Sequence, residues 1–128
     1  NPEKAYAHWM RVLKPGGLLL NFDANWYRYL WDENDQAAHA LDRKNLQDSD
    51  VRDETAGTDV DAMEAIARQT PLSRIHRPAW DLDVLRGMGM QANADTEIWK
   101  QVWTREERIN NASTPMFLVE GCKVGAAI

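Results

Sequence analysis

The sequence predicts an α/β fold in which helices pack against a partial, doubly wound sheet. Residues 1–27 supply the observations behind this prediction, because a helical pattern, a glycine turn and an apolar run follow one another without interruption. The run Leu18–Phe22 shows no alternation of apolar and polar residues, which is typical of a strand covered on both faces. No earlier strand or phosphate loop precedes it, so we expect the chain to begin inside the sheet.

The first predicted element is a helix from Pro2 to Leu13. Asn1 is a favourable N-cap, and proline suits the first helical position. The turn at residues 14–17 then ends the helix, because proline cannot continue it and glycine tolerates a left-handed conformation. Three apolar residues recur at helical spacing and form one apolar face: Ala5, Trp9 and Leu13. Because a partial sheet covers this helix incompletely, we expect Trp9 and Leu13 to be exposed on one side.

Polar and aromatic residues follow the predicted strand, where an open α/β sheet holds its ligand. Asp23 and Asn25 can orient a substrate or assist proton removal from its attacking atom. They can equally satisfy the amides of a turn. Aromatic residues can line an apolar pocket or pack beneath the next segment: Trp26, Tyr27, Tyr29 and Trp31. The predicted substrate-binding residues are Asp23, Asn25, Trp26 and Tyr27.

Residues 30–69 are richer in Asp, Asn, Gln and Ala than their flanks. Two helical patterns occur within this insertion, at Asp35–Leu46 and at Asp59–Gln69, with Thr58 or Asp59 as the cap of the second. The polar stretch Asp48–Gly57 between them predicts turns and low rigidity. The insertion is interpreted as a lid over a substrate site, or alternatively as a solvated excursion with no role in binding.

Regular structure is expected to resume after Pro71. Pro78 precedes a helix that ends at Gly89, with one apolar face. Alternating apolar and polar residues predict a strand over Thr96–Trp103, and Met116–Val119 predicts a last strand. The coarse order is helix, strand, helical insertion, helix, strand, connection and strand.

Composition excludes several classes of function. The net charge of −5, with basic residues dispersed among acidic ones, argues against nucleic acid, and no apolar run is long enough for a membrane span. Cys122, the single cysteine, fits a reducing cytoplasm. His8, His39 and His76 lie too far apart to predict a metal site. The 128 residues suit one domain. Because the chain lacks an initiator methionine, we expect it to be a piece of a longer protein.

Several segments of the chain resemble class I S-adenosylmethionine-dependent methyltransferases. The Leu-Lys-Pro-Gly-Gly turn is widespread in that superfamily, and the Asp-Ala-Asn-Trp-Tyr segment is similar to a bacterial subgroup of small-molecule or uncharacterised methyltransferases. Later landmarks agree, at residues 77–81 and 114–119. The segments that carry the resemblance are residues 1–9, 11–17 and 21–27.

The resemblance implies the C-terminal half of a Rossmann-like methyltransferase domain, spanning residues 1–128. The family's strand order would place the last strand, antiparallel, between the other two, in a three-stranded mixed sheet with helices. The family holds S-adenosylmethionine on a glycine-rich turn after its first strand and an acid ending its second, and this sequence contains neither. The full-length parent would methylate a small-molecule acceptor, while the isolated chain would be inactive and bind no cofactor.

Two other interpretations remain open at this point. The chain can be a self-sufficient binding or interaction module, or the C-terminal part of another doubly wound nucleotide-dependent enzyme, such as a nicotinamide reductase. The resemblance also implies that a fourth strand would normally pair with Leu18–Phe22. An uncovered strand edge templates pairing with another chain, so we expect self-association.

Overall fold

The computed structural model describes residues 1–125, in which helices and a three-stranded sheet alternate along the chain. Short 3₁₀ turns lie at Arg28–Leu30 and Pro71–Arg74. No helix within these residues is both long and apolar enough to cross a membrane. The helices and strands are α1 (Pro2–Val12), β1 (Leu18–Asp23), α2 (Glu33–Gln47), α3 (Val60–Ala67), α4 (Ala79–Gly87), β2 (Gln91–Asp95), α5 (Trp99–Val102), α6 (Arg105–Asn110) and β3 (Phe117–Cys122).

The sheet has the order β1–β3–β2, with β3 antiparallel to both of its neighbours. Leu19 and Ala92 both lie opposite Gly121, which aligns the three strands in one register. The last strand therefore lies in the centre, as expected. The expectation of a mixed sheet is wrong, because β1 and β2 each pair with β3 alone and every pairing in the described chain is antiparallel.

Helix α1 begins and ends where its capping signals predict. The Asn1 side chain accepts hydrogen bonds from two backbone N–H groups of the first turn, and Gly16 adopts a φ of +80° in the turn that follows. Tyr6 is buried, and Trp9 is 46% exposed, as expected. Leu13, which was also expected to be exposed, is instead partly buried against the core. Tyr6 points inward because its hydroxyl has a buried partner, Asp81 on α4.

Strand β1 is covered on one face only, so the prediction of a strand buried on both faces is wrong. Leu19 belongs to the core, while Leu18, Leu20 and Phe22 are 64%, 55% and 49% exposed. Helices α1 and α4 cover the face that carries Leu19. The core cluster on that face consists of Tyr6, Leu19, Leu85, Met90, Ala92, Phe117 and Val119.

The strand predicted at Thr96–Trp103 is wrong, since the strand lies earlier, at Gln91–Asp95, and Trp99–Val102 is helical. Ile98 and Val102 are four residues apart, which is also a helical spacing. The five residues of β2 have weak intrinsic strand propensity, and pairing with β3 decides their conformation.

The insertion contains the two predicted helices. Helix α2 begins after the N-cap Asp32, slightly earlier than expected, and α3 begins after the predicted cap Asp59. Residues between them form turns and bends. Of the apolar residues on α3, only Ala67 is buried, while Val60 and Met63 are each 40% exposed. These two side chains line a cavity rather than a core.

Candidate functional site

The carboxyl end of β1 places Asp23 where the sequence predicts a ligand-binding residue, but its oxygens are already engaged. Oδ1 accepts hydrogen bonds from the Ala24 backbone N–H at 2.8 Å and from the Trp26 indole at 3.1 Å. Oδ2 accepts from the Arg77 guanidinium. This is the alternative role considered for Asp23, in which the side chain satisfies a turn.

Asn25 also serves a neighbouring loop. Its side-chain N–H₂ donates to the carbonyl oxygen of Arg77 at 2.7 Å, and its oxygen accepts from the backbone N–H of Arg77 at 3.2 Å. These two bonds fix the segment before α4 against the end of β1. Asp23 and Asn25 thus act together to hold Arg77 in place.

Arg77 connects this turn to a buried polar network that sequence reasoning missed. Its guanidinium donates to both oxygens of the fully buried Asp81, at 3.0 and 2.8 Å. The Tyr6 hydroxyl donates to Asp81 and accepts from the Asn21 amide at 3.0 Å. The spacing of Arg77 and Asp81, i and i+4, was the available signal for their ion pair.

Burial and hydrogen bonding shift the pKa values within this network. Burial, followed by the hydrogen bond to Asp81, raises the pKa of Tyr6 to about 12. Burial alone would lower the pKa of Arg77, but its hydrogen bonds to Asp81 and Asp23 outweigh that effect and raise it. The phenol and the guanidinium therefore stay protonated at neutral pH, and the network is structural.

A large cavity, of about 590 Å³, opens beside the same turn. Trp26 and Tyr27 line it, together with Val60 and Met63 of α3. A smaller cavity of about 230 Å³ adjoins it, and the two share Trp26 and Tyr27. Asp23 and Asn25 line only the smaller one. The four predicted residues therefore lie together around the smaller cavity, and Trp26 and Tyr27 line the large one as well.

An aromatic stack forms one wall of the large cavity. The rings of Tyr29 and His39 are parallel within 2°, with their centroids 3.8 Å apart. The Tyr29 hydroxyl donates to Glu64 at 3.0 Å, which joins the turn after β1 to α3. Burial, helped by the charge of Arg43, lowers the pKa of His39, so this imidazole is neutral at pH 7.

Two charged residues of α2, Asp42 and Arg43, also line the cavity. Asp42 is only 6% exposed, and its Oδ2 accepts from both the backbone N–H and the hydroxyl of Ser113. Arg43 is paired with Asp53. No group of three His, Cys, Asp or Glu side chains within residues 1–125 is arranged to hold a metal ion.

Comparison with protein-family models, curated proteins and solved structures finds no match to this chain. The cavity is therefore interpreted from its own geometry. Its aromatic and apolar walls suit a planar or apolar group, and its few polar side chains can orient one, as is usual for small-molecule sites.

Proposed function

We propose that this chain is the acceptor-binding part of an S-adenosylmethionine-dependent methyltransferase that acts on a small molecule. The main evidence for an acceptor site is the cavity of about 590 Å³ beside the carboxyl end of β1, which Trp26 and Tyr27 line. The cavity supports binding of a small organic ligand. The reaction type rests on the resemblance of residues 1–27 and on the central position of β3 in the sheet.

The residues described here do not fit S-adenosylmethionine itself. A nucleotide loop needs glycines between a strand and the helix that follows it. Within residues 1–125, Gly16 and Gly17 precede a strand, Gly87 is the last residue of α4, and Gly89 lies between α4 and β2. The proposal therefore assigns this chain the binding of the acceptor alone.

The contribution of this chain would be to position the acceptor. Methyl transfer gains much of its rate from alignment of the reacting atoms, and a rigid pocket supplies that alignment. Tyr29 is held by the His39 ring and by Glu64, so this wall is fixed by α2 and α3. The insertion closes one side of the cavity and would exclude water from a bound ligand.

Substitution of Trp26 by alanine tests the pocket. We expect ring-bearing small molecules to bind the unmodified chain, and Trp26→Ala to weaken their binding about fivefold, because one aromatic contact contributes about 1 kcal/mol. Calorimetric titration measures the change. Trp31→Ala is the matched control, since Trp26 and Trp31 are both 41% exposed and Trp31 lies outside the cavity. Equal weakening by both variants would contradict the proposal.

The same titration with S-adenosylmethionine tests whether this chain binds the acceptor and not the cofactor. We expect no binding at micromolar concentration, because the described chain lacks a strand-to-helix glycine loop. Micromolar affinity would overturn the assignment of this chain to the acceptor alone.

One observation favours a second candidate, a binding module without catalysis. The side-chain oxygens of Asp23 and the amide of Asn25 are engaged in holding the turn. Neither is then free to remove a proton from a substrate. Methyl transfer by the full-length parent, abolished when Tyr27 and Trp26 are replaced, would exclude this candidate.

A further inference from the structure

Asp42 is a buried carboxylate with one oxygen unused. The backbone N–H and hydroxyl of Ser113 both donate to Oδ2, and Oδ1 accepts no hydrogen bond within residues 1–125. Every deeply buried side-chain nitrogen or oxygen atom in that part of the chain has a partner. Oδ1 is therefore accessible, and because Asp42 is 6% exposed and lines the large cavity, the cavity is where it opens.

The positive groups near Asp42 do not neutralise it. Arg43 donates to both oxygens of Asp53, and this bond holds the pKa of the Asp53 carboxyl far below its usual range. His39, three residues before Asp42 on α2, is neutral at pH 7 because burial lowers its pKa. Asp42 forms no ion pair within residues 1–125.

A second carboxylate faces the same space. Glu54 lines the cavity from the segment after α2, and one of its oxygens accepts from the Asn111 amide at 3.0 Å. Since Arg43 is neutralised by Asp53, the cavity carries a net negative charge. A buried unpaired charge is costly, and a cationic ligand would remove that cost.

We propose that the ligand of this cavity is a small organic amine, bound through its ammonium group to Oδ1 of Asp42. Its apolar or aromatic portion packs against Trp26, Tyr27 and Met63, which line the same space. Aromatic faces attract cations, so the walls favour the same class of ligand. This inference rests on the proposed function, because it assigns a chemical class to the acceptor.

Three probes of similar shape and different charge test the ligand class: phenethylamine, phenethyl alcohol and 3-phenylpropanoate. Calorimetric titration of the 128-residue chain at pH 7 and low salt is expected to show the amine binding at least about tenfold more tightly than the alcohol, through a charge-assisted hydrogen bond. The carboxylate probe is expected to bind least, because it is repelled by Asp42 and Glu54.

Asp42→Asn isolates the charge. Asparagine keeps an oxygen to accept from Ser113, so we expect the fold to persist, as checked by far-ultraviolet circular dichroism. Its affinity for phenethylamine should fall to that for phenethyl alcohol, which should bind unchanged. Asp61→Asn is the matched control, since it makes the same change of charge on the exposed part of α3, and it should alter nothing.

Separate outcomes overturn the two proposals. Equal binding of amine and alcohol, or an undiminished preference in Asp42→Asn, overturns the amine assignment and leaves a small-molecule cavity in place. If neither the three probes nor the other ring-bearing small molecules titrated under the proposed function bind the chain, the amine assignment and the proposed function are both overturned. If Asp42→Asn does not fold, Glu54→Gln serves instead, with a severalfold loss of amine affinity expected and no loss counting against the proposal.

Discussion

Arg77 is the residue that joins the turn after β1 to the core. Its guanidinium pairs with Asp81 and Asp23, and its carbon lies 5.3 Å from the centre of the Phe117 ring. Asn25 holds its peptide groups. One side chain therefore fixes the place of the turn that carries Trp26 and Tyr27, so the stability of the fold and the shape of the cavity depend on the same network.

Replacing Arg77 by leucine should lower the free energy of unfolding by about 3–5 kcal/mol, because the buried Asp81 would lose its charge partner. Urea denaturation measures the loss. Arg11→Leu is the control, since Arg11 is exposed on α1 and its loss should cost less than about 0.5 kcal/mol. A loss below about 1 kcal/mol for Arg77→Leu would show that Asp81 is stabilised in another way.

Tyr6 should make stability fall at alkaline pH. Its pKa is raised from 10.0 to about 12 in the folded chain. The unfolded chain releases this proton first, so the contribution is complete below pH 10 and is lost between about pH 10 and 12, by at most about 3 kcal/mol. Denaturation of Tyr6→Phe across this range should lack that part of the decline. The raised pKa of Tyr29 contributes equally to both proteins and cancels in the comparison.

Among the elements, the segment between α2 and α3 is held mainly by side chains. Arg43 binds Asp53, and the Asn110 side chain binds the backbone at Arg52 and Glu54. Helices and strands instead protect their amides by continuous backbone pairing. The cavity is thus closed partly by a segment with little backbone hydrogen bonding of its own, which suits a lid.

Hydrogen exchange should distinguish this segment from the sheet. Four of its backbone N–H groups donate no hydrogen bond within residues 1–125: those of Asp50, Arg52, Asp53 and Gly57. We expect residues 48–57 to exchange faster than 18–22, as measured by mass spectrometry. Equal protection of the two segments would contradict this expectation.

At the scale of the whole molecule, β1 is an edge strand with an exposed apolar face. It pairs with β3 and with no other strand of the described chain. Edge strands are usually protected by lysine, proline or a bulge, and the sequence of β1, LLLNFD, contains neither of these residue types. The β1 strands of two copies of the chain can therefore pair antiparallel about a two-fold axis, because an identical edge faces each copy.

The chain is therefore expected to form dimers at tens of micromolar, as measured by sedimentation. Leu20→Lys should shift the equilibrium towards monomer, because it places a charge on the exposed face of β1. Leu41→Lys on α2 is the matched control, since the two leucines are 55% and 56% exposed. A monomeric unmodified chain would show that the edge of β1 does not template pairing.

Local signals predicted most of the elements, and long-range contacts decided the site. Trp26 and Tyr27 were predicted as substrate-binding from their position after β1, and they line the cavity, although binding itself stays a prediction. The sequence allowed Asp23 either a ligand-binding or a structural role and could not decide between them, because its partner Arg77 is 54 residues away. No local pattern predicted that Asp42 would be buried beside the cavity, since its partner Ser113 lies 71 residues further along the chain.

The sequence by itself determined α1, α2, α3 and α4, because caps and glycine turns act over a few residues and need no distant partner. Tertiary structure decided the position of β2, whose residues become a strand by pairing with β3. It also decided which face of α1 is buried, since the Tyr6 hydroxyl finds Asp81 only when α4 packs beside it. Pairings between distant segments depend on register and packing, and no local pattern of residues specifies these.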